Sequence, residues 1–242
     1  MELTNKTILI TGGTSGIGLH LVEQLCTGNR VVIAGRDLEK LRQLELNYGV
    51  ETCWVDLAVI ESVEKLAQTI ENQHSHIDVL INNAAVQYTP TFDSDDFHYQ
   101  TIVREITTNF TSVCCLTYLL LPLLRKSDSA TVLNVNSGLA LTPKKGSAVY
   151  CATKSALSTF STSLSYQLAE LNIKVLQAFL PVVDTPMTYG RGKSKMSAER
   201  AAQKIIHGIK AEQKANDIGK VKLLRWLLRF FPAMAYRIMR NA

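Results

Sequence analysis

The chain has 242 residues, of which 46% are apolar and 19% are charged, and this composition excludes a disordered chain. Its formal net charge of +5 depends on the segment after Gly219, which carries six lysine and arginine residues and no acidic residue. The rest of the chain is close to neutral, so we expect no nucleic-acid partner.

Five cysteines are spread through mostly apolar segments, and none of them forms a Cys-x-x-Cys pair. Their odd number and their placement favour free thiols in a reducing compartment. The first residues lack the basic and apolar regions of a secretory signal, and the longest apolar stretch, residues 113–124, is too short for a transmembrane helix. We therefore predict a cytoplasmic protein. The histidines show no metal-ligand spacing, so we predict no metal site.

Short apolar runs alternate along most of the chain with segments of helical periodicity. Continuous runs of Val, Ile and Leu are typical of strands buried on both faces of a sheet. The predicted strands are 7–11, 30–35, 52–55, 79–81, 131–135 and 174–179. The predicted helices are 16–26, 38–47, 60–73, a long one over 95–125, 149–171 and 197–211. This alternation predicts an α/β fold, a single Rossmann-type doubly wound parallel sheet with helices on both faces, in one domain over residues 1–242.

Two segments near the C-terminus depart from this alternation. Residues 186–196 are polar and basic and contain glycine, and we interpret them as a mobile loop at the substrate site. Residues 219–242 form a basic apolar segment in which leucine and aromatic residues are interleaved with arginine. Such a segment can pack as a helix on the protein body or on a partner, or lie on an anionic membrane surface, and we favour packing.

A glycine-rich turn over residues 11–18 (TGGTSGIG) follows the first predicted strand and opens the first predicted helix. Glycines at such a turn allow a tight bend, close approach of a pyrophosphate and close packing of helix on strand. The helix N-terminus then offers free N–H groups to the phosphates, so this context predicts a dinucleotide cofactor. At the end of the second strand, Arg36 can pair with a ribose 2′-phosphate, which favours NADP(H). Asp37 leaves NAD(H) as the alternative.

Tyr150 and Lys154 lie four residues apart in a predicted helix and therefore share one of its faces. An unperturbed tyrosine has a pKa of about 10 and is a poor base at neutral pH, but a neighbouring cation favours the phenolate. A tyrosine tuned in this way can exchange a proton with a substrate oxygen. Ser137 ends the fifth predicted strand, at the edge of the sheet where ligands bind in doubly wound folds.

Together with the glycine turn, this arrangement resembles the short-chain dehydrogenase/reductase family over residues 7–187. Residues 181–187 and the C-terminal sequence resemble its DltE-like subgroup. The resemblance implies hydride transfer between a nicotinamide cofactor and a carbonyl or alcohol, with Tyr150 as general acid/base and Ser137 bound to the substrate oxygen. It also implies that Lys154 lowers the pKa of Tyr150 and grips the nicotinamide ribose. Asn109 matches the fourth catalytic position, where it would hold a water that links Lys154 to solvent.

The resemblance also supplies cofactor contacts. Asp56 matches an adenine-contacting acid, Asn83 and Ala84 belong to a motif similar to NNAG, and Thr185 would contact the nicotinamide carboxamide. The family's Pro-Gly pair before this threonine is not kept in residues 180–185 (LPVVDT). The complete set of predicted cofactor-binding residues is Gly12, Thr14, Ser15, Gly16, Ile17, Gly18, Arg36, Asp56, Leu57, Asn83, Ala84, Tyr150, Lys154, Val183 and Thr185.

Other functions and the partners are less constrained by the sequence. A catalytically silent dinucleotide-binding regulator stays open, as does the D-alanine transfer to teichoic acid that the subgroup name suggests. The complete catalytic set favours an oxidoreductase, and no nucleophile for acyl transfer is apparent. The candidate pocket residues are Val86, Gln87, Leu139 and Leu141. Their apolar bias leads us to expect a neutral, apolar carbonyl or alcohol as the small-molecule substrate.

The long predicted helix is rich in apolar residues and cysteine, which can serve either the core or a subunit interface. The family resemblance implies an interface, so we expect a homodimer or homotetramer. The residues considered for this interface are Cys114, Cys115, Leu116, Leu119, Leu120 and Leu123.

Overall fold

The computed structural model describes residues 1–192 and 194–240. The strands are β1 (Thr7–Thr11), β2 (Arg30–Gly35), β3 (Glu51–Trp54), β4 (Val79–Asn82), β5 (Ala130–Ser137), β6 (Ile173–Leu180), β7 (Val183–Asp184), β8 (Met196–Ser197) and β9 (Ala215–Asp217). The helices are α1 (Gly16–Leu25), α2 (Leu38–Tyr48), α3 (Ile60–Gln73), α4 (Tyr99–Ile106), α5 (Ser112–Leu119), α6 (Leu121–Leu124), α7 (Ala148–Gln167), α8 (Ala198–Lys210), α9 (Val221–Phe230) and α10 (Pro232–Arg240).

Seven strands form one parallel sheet in the order β3-β2-β1-β4-β5-β6-β9, which confirms the predicted doubly wound fold. Alternate residues of each strand enter the cores on opposite faces. In β1, Ile8 and Ile10 belong to the core that contains α1 and α8, whereas Leu9 belongs to the core that contains α3 and α5. The strand order reverses between β1 and β4, and the carboxyl ends of the strands around that point form a crevice.

The chain order of strands and helices agrees with the sequence prediction at β1 to β6, and the differences fall where local patterns are weak. The prediction missed β9, a three-residue strand of mixed polarity that pairs with β6. It also missed the parallel pair β7 and β8, which joins the two ends of the segment between them.

The prediction of one long helix over residues 95–125 was wrong in two respects. The helix begins at Tyr99, and it is divided into α4, a π-helical segment (Thr107–Thr111), α5 and α6. Pro122 lies in the first turn of α6, where its missing N–H is tolerated. The helix predicted over 149–171 ends earlier, as α7, at Gln167.

Residues 186–196 have defined contacts at both ends, which a polar loop pattern does not predict. Pro186–Thr188 is a 3-10 turn. The Lys195 ammonium donates to the Asp184 carboxylate at 3.0 Å and to the Thr188 carbonyl at 2.8 Å. Lys193 lies outside the described residues, and the mobility of the segment stays a prediction.

The basic apolar segment folds into α9 and α10, which pack against each other and against the body of the protein. Arg225 donates to Asp217 at 2.8 Å, and its guanidinium lies 4.9 Å from the centroid of the Phe179 ring. No helix in residues 1–192 and 194–240 is long and apolar enough to span a membrane. Residues 241 and 242 of the predicted segment lie outside the described chain. The segment also exposes large apolar side chains: Leu223, Trp226, Phe230, Phe231, Met234, Tyr236 and Ile238.

Candidate active site

A cavity of about 960 Å³ follows the carboxyl ends of the central strands. Every predicted cofactor-binding residue lines it, together with Ser137. Asn109 is fully buried behind the cavity and is not part of its wall. The fold therefore brings the glycine turn and the proposed catalytic side chains to opposite parts of one space.

The glycine turn forms a concave surface that has no room for side chains. Gly12 has φ +69°, and a Cβ there would lie 2.9 Å from Ala84 Cα. A Cβ on Gly18 would lie 2.0 Å from the Gly12 carbonyl oxygen. Ser15, at the N-terminus of α1, makes no side-chain cap. A cradle of this shape at a helix N-terminus fits the pyrophosphate of a dinucleotide.

Asn83 holds the glycine turn in place from the end of β4. Its amide donates to the carbonyl oxygens of Thr11, at 3.0 Å, and Gly12, at 3.1 Å. The Thr11 hydroxyl in turn accepts from the backbone N–H groups of Asn83 and Ala84. The Asn83 side chain is therefore committed to the backbone of the turn, and it acts as a positioning residue for any cofactor bound there.

Two cations, and one carboxylate that already has a hydrogen-bond partner, lie between the end of β2 and the first turn of α2. Arg36 and Lys40 both line the cavity, and both are exposed. The Asp37 carboxylate accepts from the Lys40 N–H at 3.1 Å as the N-cap of α2, and it lies 3.2 Å from the Lys40 ammonium. The Lys40 hydrogen bonds lower the pKa of Asp37. The prediction missed Lys40, although a second cation one helical turn after Arg36 is visible in the sequence.

Asp56, just after β3, shapes the adjoining turn. Its carboxylate accepts from the Ala58 N–H at 3.0 Å and lies 3.5 Å from the Arg104 guanidinium. Both carboxylate oxygens of Asp56 are therefore oriented by the chain's own groups before any ligand binds.

Tyr150, Ser137 and Lys154 converge at the other part of the cavity. Tyr150 lies in the first turn of α7 and is 9% exposed, and its phenol and the Ser137 hydroxyl both line the cavity. The Lys154 ammonium is buried, 5.8 Å from the centroid of the Tyr150 ring, and donates to the Val135 carbonyl at 2.9 Å. Ser137 Oγ accepts from the Leu139 N–H at 3.1 Å.

The protonation states at this point differ from the sequence expectation. Burial raises the pKa of Tyr150 above its ordinary value, and the neighbouring Ser137 hydroxyl opposes that rise. Burial also lowers the pKa of Lys154 to about 8. The expected lowering of the Tyr150 pKa by Lys154 is therefore not supported by the chain's own groups, because the ammonium is directed to Val135. At neutral pH the phenol keeps its proton, which is the form required of a proton donor.

Asn109 lies in the π-helical segment, where it fixes the loop after β4. Its amide donates to the Val86 carbonyl and accepts from the Val86 N–H, both at 2.8 Å. The amide also donates to the Thr153 hydroxyl at 3.3 Å, which connects it to α7. These contacts make the Asn109 side chain a positioning group, and the water relay stays a prediction.

Comparison with known proteins assigns the family. A family model described as short chain dehydrogenase matches residues 6–195. The chain belongs to the short-chain dehydrogenase/reductase family. It is 34% identical over 233 residues to the uncharacterized oxidoreductase DltE of Bacillus subtilis (strain 168), which covers 93% of this chain and 92% of that protein. This short-chain dehydrogenase/reductase is therefore a member of the DltE-like subgroup and an enzyme of the family.

Two further relatives define the range of similarity. An NADP-dependent 3-hydroxy acid dehydrogenase of Schizosaccharomyces pombe is 30% identical over 198 residues, covering 78% of this chain and 76% of that protein. The fold is similar to that of a short chain dehydrogenase from Burkholderia cenocepacia J2315 in complex with NADP. That match has a TM-score of 0.89 at 20% identity and covers the whole of both chains.

The remaining wall of the cavity in this short-chain dehydrogenase/reductase is apolar but not neutral. Val86, Gln87 and Leu139 line it as predicted, whereas Leu141 does not. The C-terminal hairpin, which consists of α9 and α10, adds Leu224 and Met239 to the lining. The sequence pattern could not assign these two residues to the cavity because they are distant from its other residues along the chain. The same wall contains three cations, which the apolar bias of the predicted residues did not indicate. They are Lys144, Arg191 and Lys220.

Proposed function

We propose that this chain is an NADP(H)-dependent oxidoreductase that interconverts a carbonyl and an alcohol, with Tyr150 as general acid/base. The observation that carries the proposal is the meeting of Tyr150, Ser137 and Lys154 in the same cavity as the glycine cradle. A protein that only bound a dinucleotide would not need a buried phenol and a hydroxyl directed to one point.

The roles of the residues follow from their positions. When bound, the nicotinamide dinucleotide supplies the hydride. The Tyr150 phenol donates its proton to the carbonyl oxygen during reduction, and the Ser137 hydroxyl stabilises the charge that develops on that oxygen. Lys154, whose pKa of about 8 leaves it mostly protonated at neutral pH, binds the nicotinamide ribose.

The preference for NADP(H) over NAD(H) is supported by the charges at the end of β2. Arg36 and Lys40 offer two cations to a 2′-phosphate, while the Asp37 carboxylate is already used as a helix cap. The relative from Schizosaccharomyces pombe is itself named an NADP-dependent enzyme.

Substitution of Tyr150 by Phe tests the proposed reaction. We expect Tyr150→Phe to lose turnover by a factor of about a hundred or more, because it removes the proton donor and keeps the ring. The affinity for NADPH should stay unchanged. Oxidation of NADPH would be followed by absorbance with a panel of carbonyl compounds, and binding by calorimetry.

The exposed Tyr166, on the same helix, provides the matched control. Tyr166→Phe should keep both turnover and NADPH affinity. If Tyr150→Phe retains wild-type turnover, the assignment of Tyr150 is wrong. If NADPH binds but no carbonyl is turned over, the regulator becomes the better interpretation.

Membrane contact through the C-terminal segment is the less favoured alternative. Val221 is buried and Arg225 is bonded to Asp217, so one side of α9 is used for packing on the body. Membrane contact is favoured by the exposed apolar side chains of this segment, which are interspersed with the exposed arginines Arg229 and Arg237. We expect the chain to stay in the supernatant with vesicles of anionic phospholipid, and co-sedimentation would reverse this preference.

A further inference from the structure

The charges that line the cavity are distributed unevenly. The acidic residues among its described lining are Asp37 and Asp56, and both lie beside the adenosine part of the proposed cofactor site. The part beyond Tyr150 contains Lys144 and Arg191, with the exposed Lys220 also in its wall. Within the described chain, no carboxylate lies within 4.0 Å of Lys144 or Arg191.

Arg191 is held in this position by neutral groups. Its guanidinium donates to the Gln87 side-chain oxygen at 3.1 Å and to the Met187 carbonyl. Gln87 donates in turn to Ser147 Oγ at 3.1 Å, and Ser147 is the residue that precedes α7. The guanidinium is therefore connected through two side chains to the start of the helix that carries Tyr150.

Lys144, Arg191 and Tyr150 line the same cavity. Burial is the main cause that lowers the pKa of Lys144, and the charge of Arg191 lowers it further. The like charges of Lys144 and Arg191 therefore repel each other. Two half-buried cations that share one wall cost free energy, and a bound anion offsets this cost.

The same wall also contains apolar side chains. Leu139 and Met187 contribute to it from the body, and Leu224 and Met239 contribute from the C-terminal hairpin. A ligand that fits this surface has an anionic group at one end and an apolar body.

We propose that the substrate carries a carboxylate bound by Lys144 and Arg191, joined to an apolar body that packs against the C-terminal hairpin. This proposal rests on the proposed oxidoreductase function and names its substrate class. A carboxylate suits the site because a guanidinium fork pairs with two oxygens in one plane.

Binding of a non-reacting probe tests the anionic subsite independently of turnover. Decanoate and its neutral amide, decanamide, would be titrated by calorimetry into the protein with NADP present. We expect decanoate to bind about tenfold or more tightly than decanamide, as expected for hydrogen bonds to charged groups. Arg191→Met and Lys144→Met should each remove this preference, and Arg191→Lys should retain part of it.

Lys145→Met is the matched control, because Lys145 adjoins Lys144 but does not line the cavity. It should keep the preference for decanoate. Equal affinity of the wild type for both probes, or an equal loss in the control, would overturn the proposal. Decyl phosphate separates the two anions: if it binds and decanoate does not, the carboxylate assignment is wrong.

Kinetics with a medium-chain keto acid and its methyl ester complete the test. We expect Arg191→Met to reduce kcat/KM for the acid by about tenfold to a hundredfold and to leave that for the ester nearly unchanged. If both substrates lose equally, Arg191 has a general role and the proposal fails. If the protein binds decanoate more tightly than decanamide but reduces no carbonyl compound, the anionic subsite is supported and the proposed oxidoreductase function fails.

Discussion

Arg36 and Lys40 supply the positive charge at the proposed adenosine end of the cavity. Both line the cavity, and the nearby Asp37 carboxylate is bonded to Lys40. We expect the double change Arg36→Ala and Lys40→Ala to weaken NADPH binding by about tenfold to a hundredfold, because each cation can make a charge-assisted hydrogen bond. NADH affinity should change by about twofold or less. Fluorescence titration with both nucleotides measures the ratio.

The exposed Arg42 on α2 provides a control for this experiment, since it is a cation of the same helix outside the cavity. Arg42→Ala should leave the ratio of NADPH to NADH affinity unchanged. An unchanged ratio in the double variant would mean that NADP(H) preference has another origin.

Glu105 is a buried acid that the proposed reaction does not use. It is 2% exposed, and its carboxyl accepts from the Tyr88 N–H at 3.1 Å. Burial raises its pKa to about 7, against an ordinary value of 4.5. The native state therefore binds the proton more tightly than the unfolded state does. The stability that this provides is complete below pH 4.5 and is lost as pH rises through about 7.

Glu105→Gln should remove this pH dependence, because glutamine keeps an acceptor for Tyr88 and cannot ionise. We expect the variant to be more stable than the wild type at pH 8 by on the order of 2 kcal/mol, with little difference near pH 4.5. Urea denaturation at both pH values measures this. The exposed Glu64, changed to Gln, should follow the wild type at both. A constant difference across pH would indicate a packing effect.

Sequence patterns predicted correctly the elements in which the type of each residue reflects whether that residue is buried. The runs of β1, β2 and β5 are apolar because both faces of each strand are buried. The glycine turn is required because a Cβ on Gly18 would lie 2.0 Å from the Gly12 carbonyl oxygen. These features are local, and they determined the fold and the cofactor end of the site.

The elements that were missed depend on distant parts of the chain. The strand β9 owes its place to pairing with β6, and Leu224 lines the cavity because α9 lies beside Gly138, far away along the chain. The cations Lys144 and Arg191 lie in separate loops whose meeting no periodicity reveals. The prediction of a neutral substrate was therefore inferred from apolar residues alone, and it did not take these cations into account.

At the scale of the whole molecule, an apolar stripe on α4 supports the predicted assembly. Tyr99, Val103 and Ile106 are exposed at a spacing of four and three residues, and α4 packs beside α7, where Tyr166 is also exposed. Three residues first considered for an interface cannot serve it, because they are buried in the chain's own core. They are Leu116, Leu120 and Leu123.

We expect the wild type to be a dimer or tetramer, and Val103→Asp to shift it to a monomer, because a charge would be buried in the interface. Analytical ultracentrifugation measures the change. Leu46→Asp, at an exposed apolar residue on α2, should leave the assembly intact. A monomeric wild type would exclude the predicted oligomer.

The π-helical segment makes this part of the chain tolerant of the loss of one residue. Within Thr107–Thr111 the backbone bonds span five residues, as from the Ser112 N–H to the Thr107 carbonyl, so the turn holds one residue more than an α-helical turn. Deletion of a single residue there would restore regular winding and leave the orientation of α5 nearly unchanged, so Ser112 would keep its hydrogen bond to the Leu57 carbonyl. The same deletion within α5 would rotate the residues that follow it by about 100° and turn part of its buried face toward solvent.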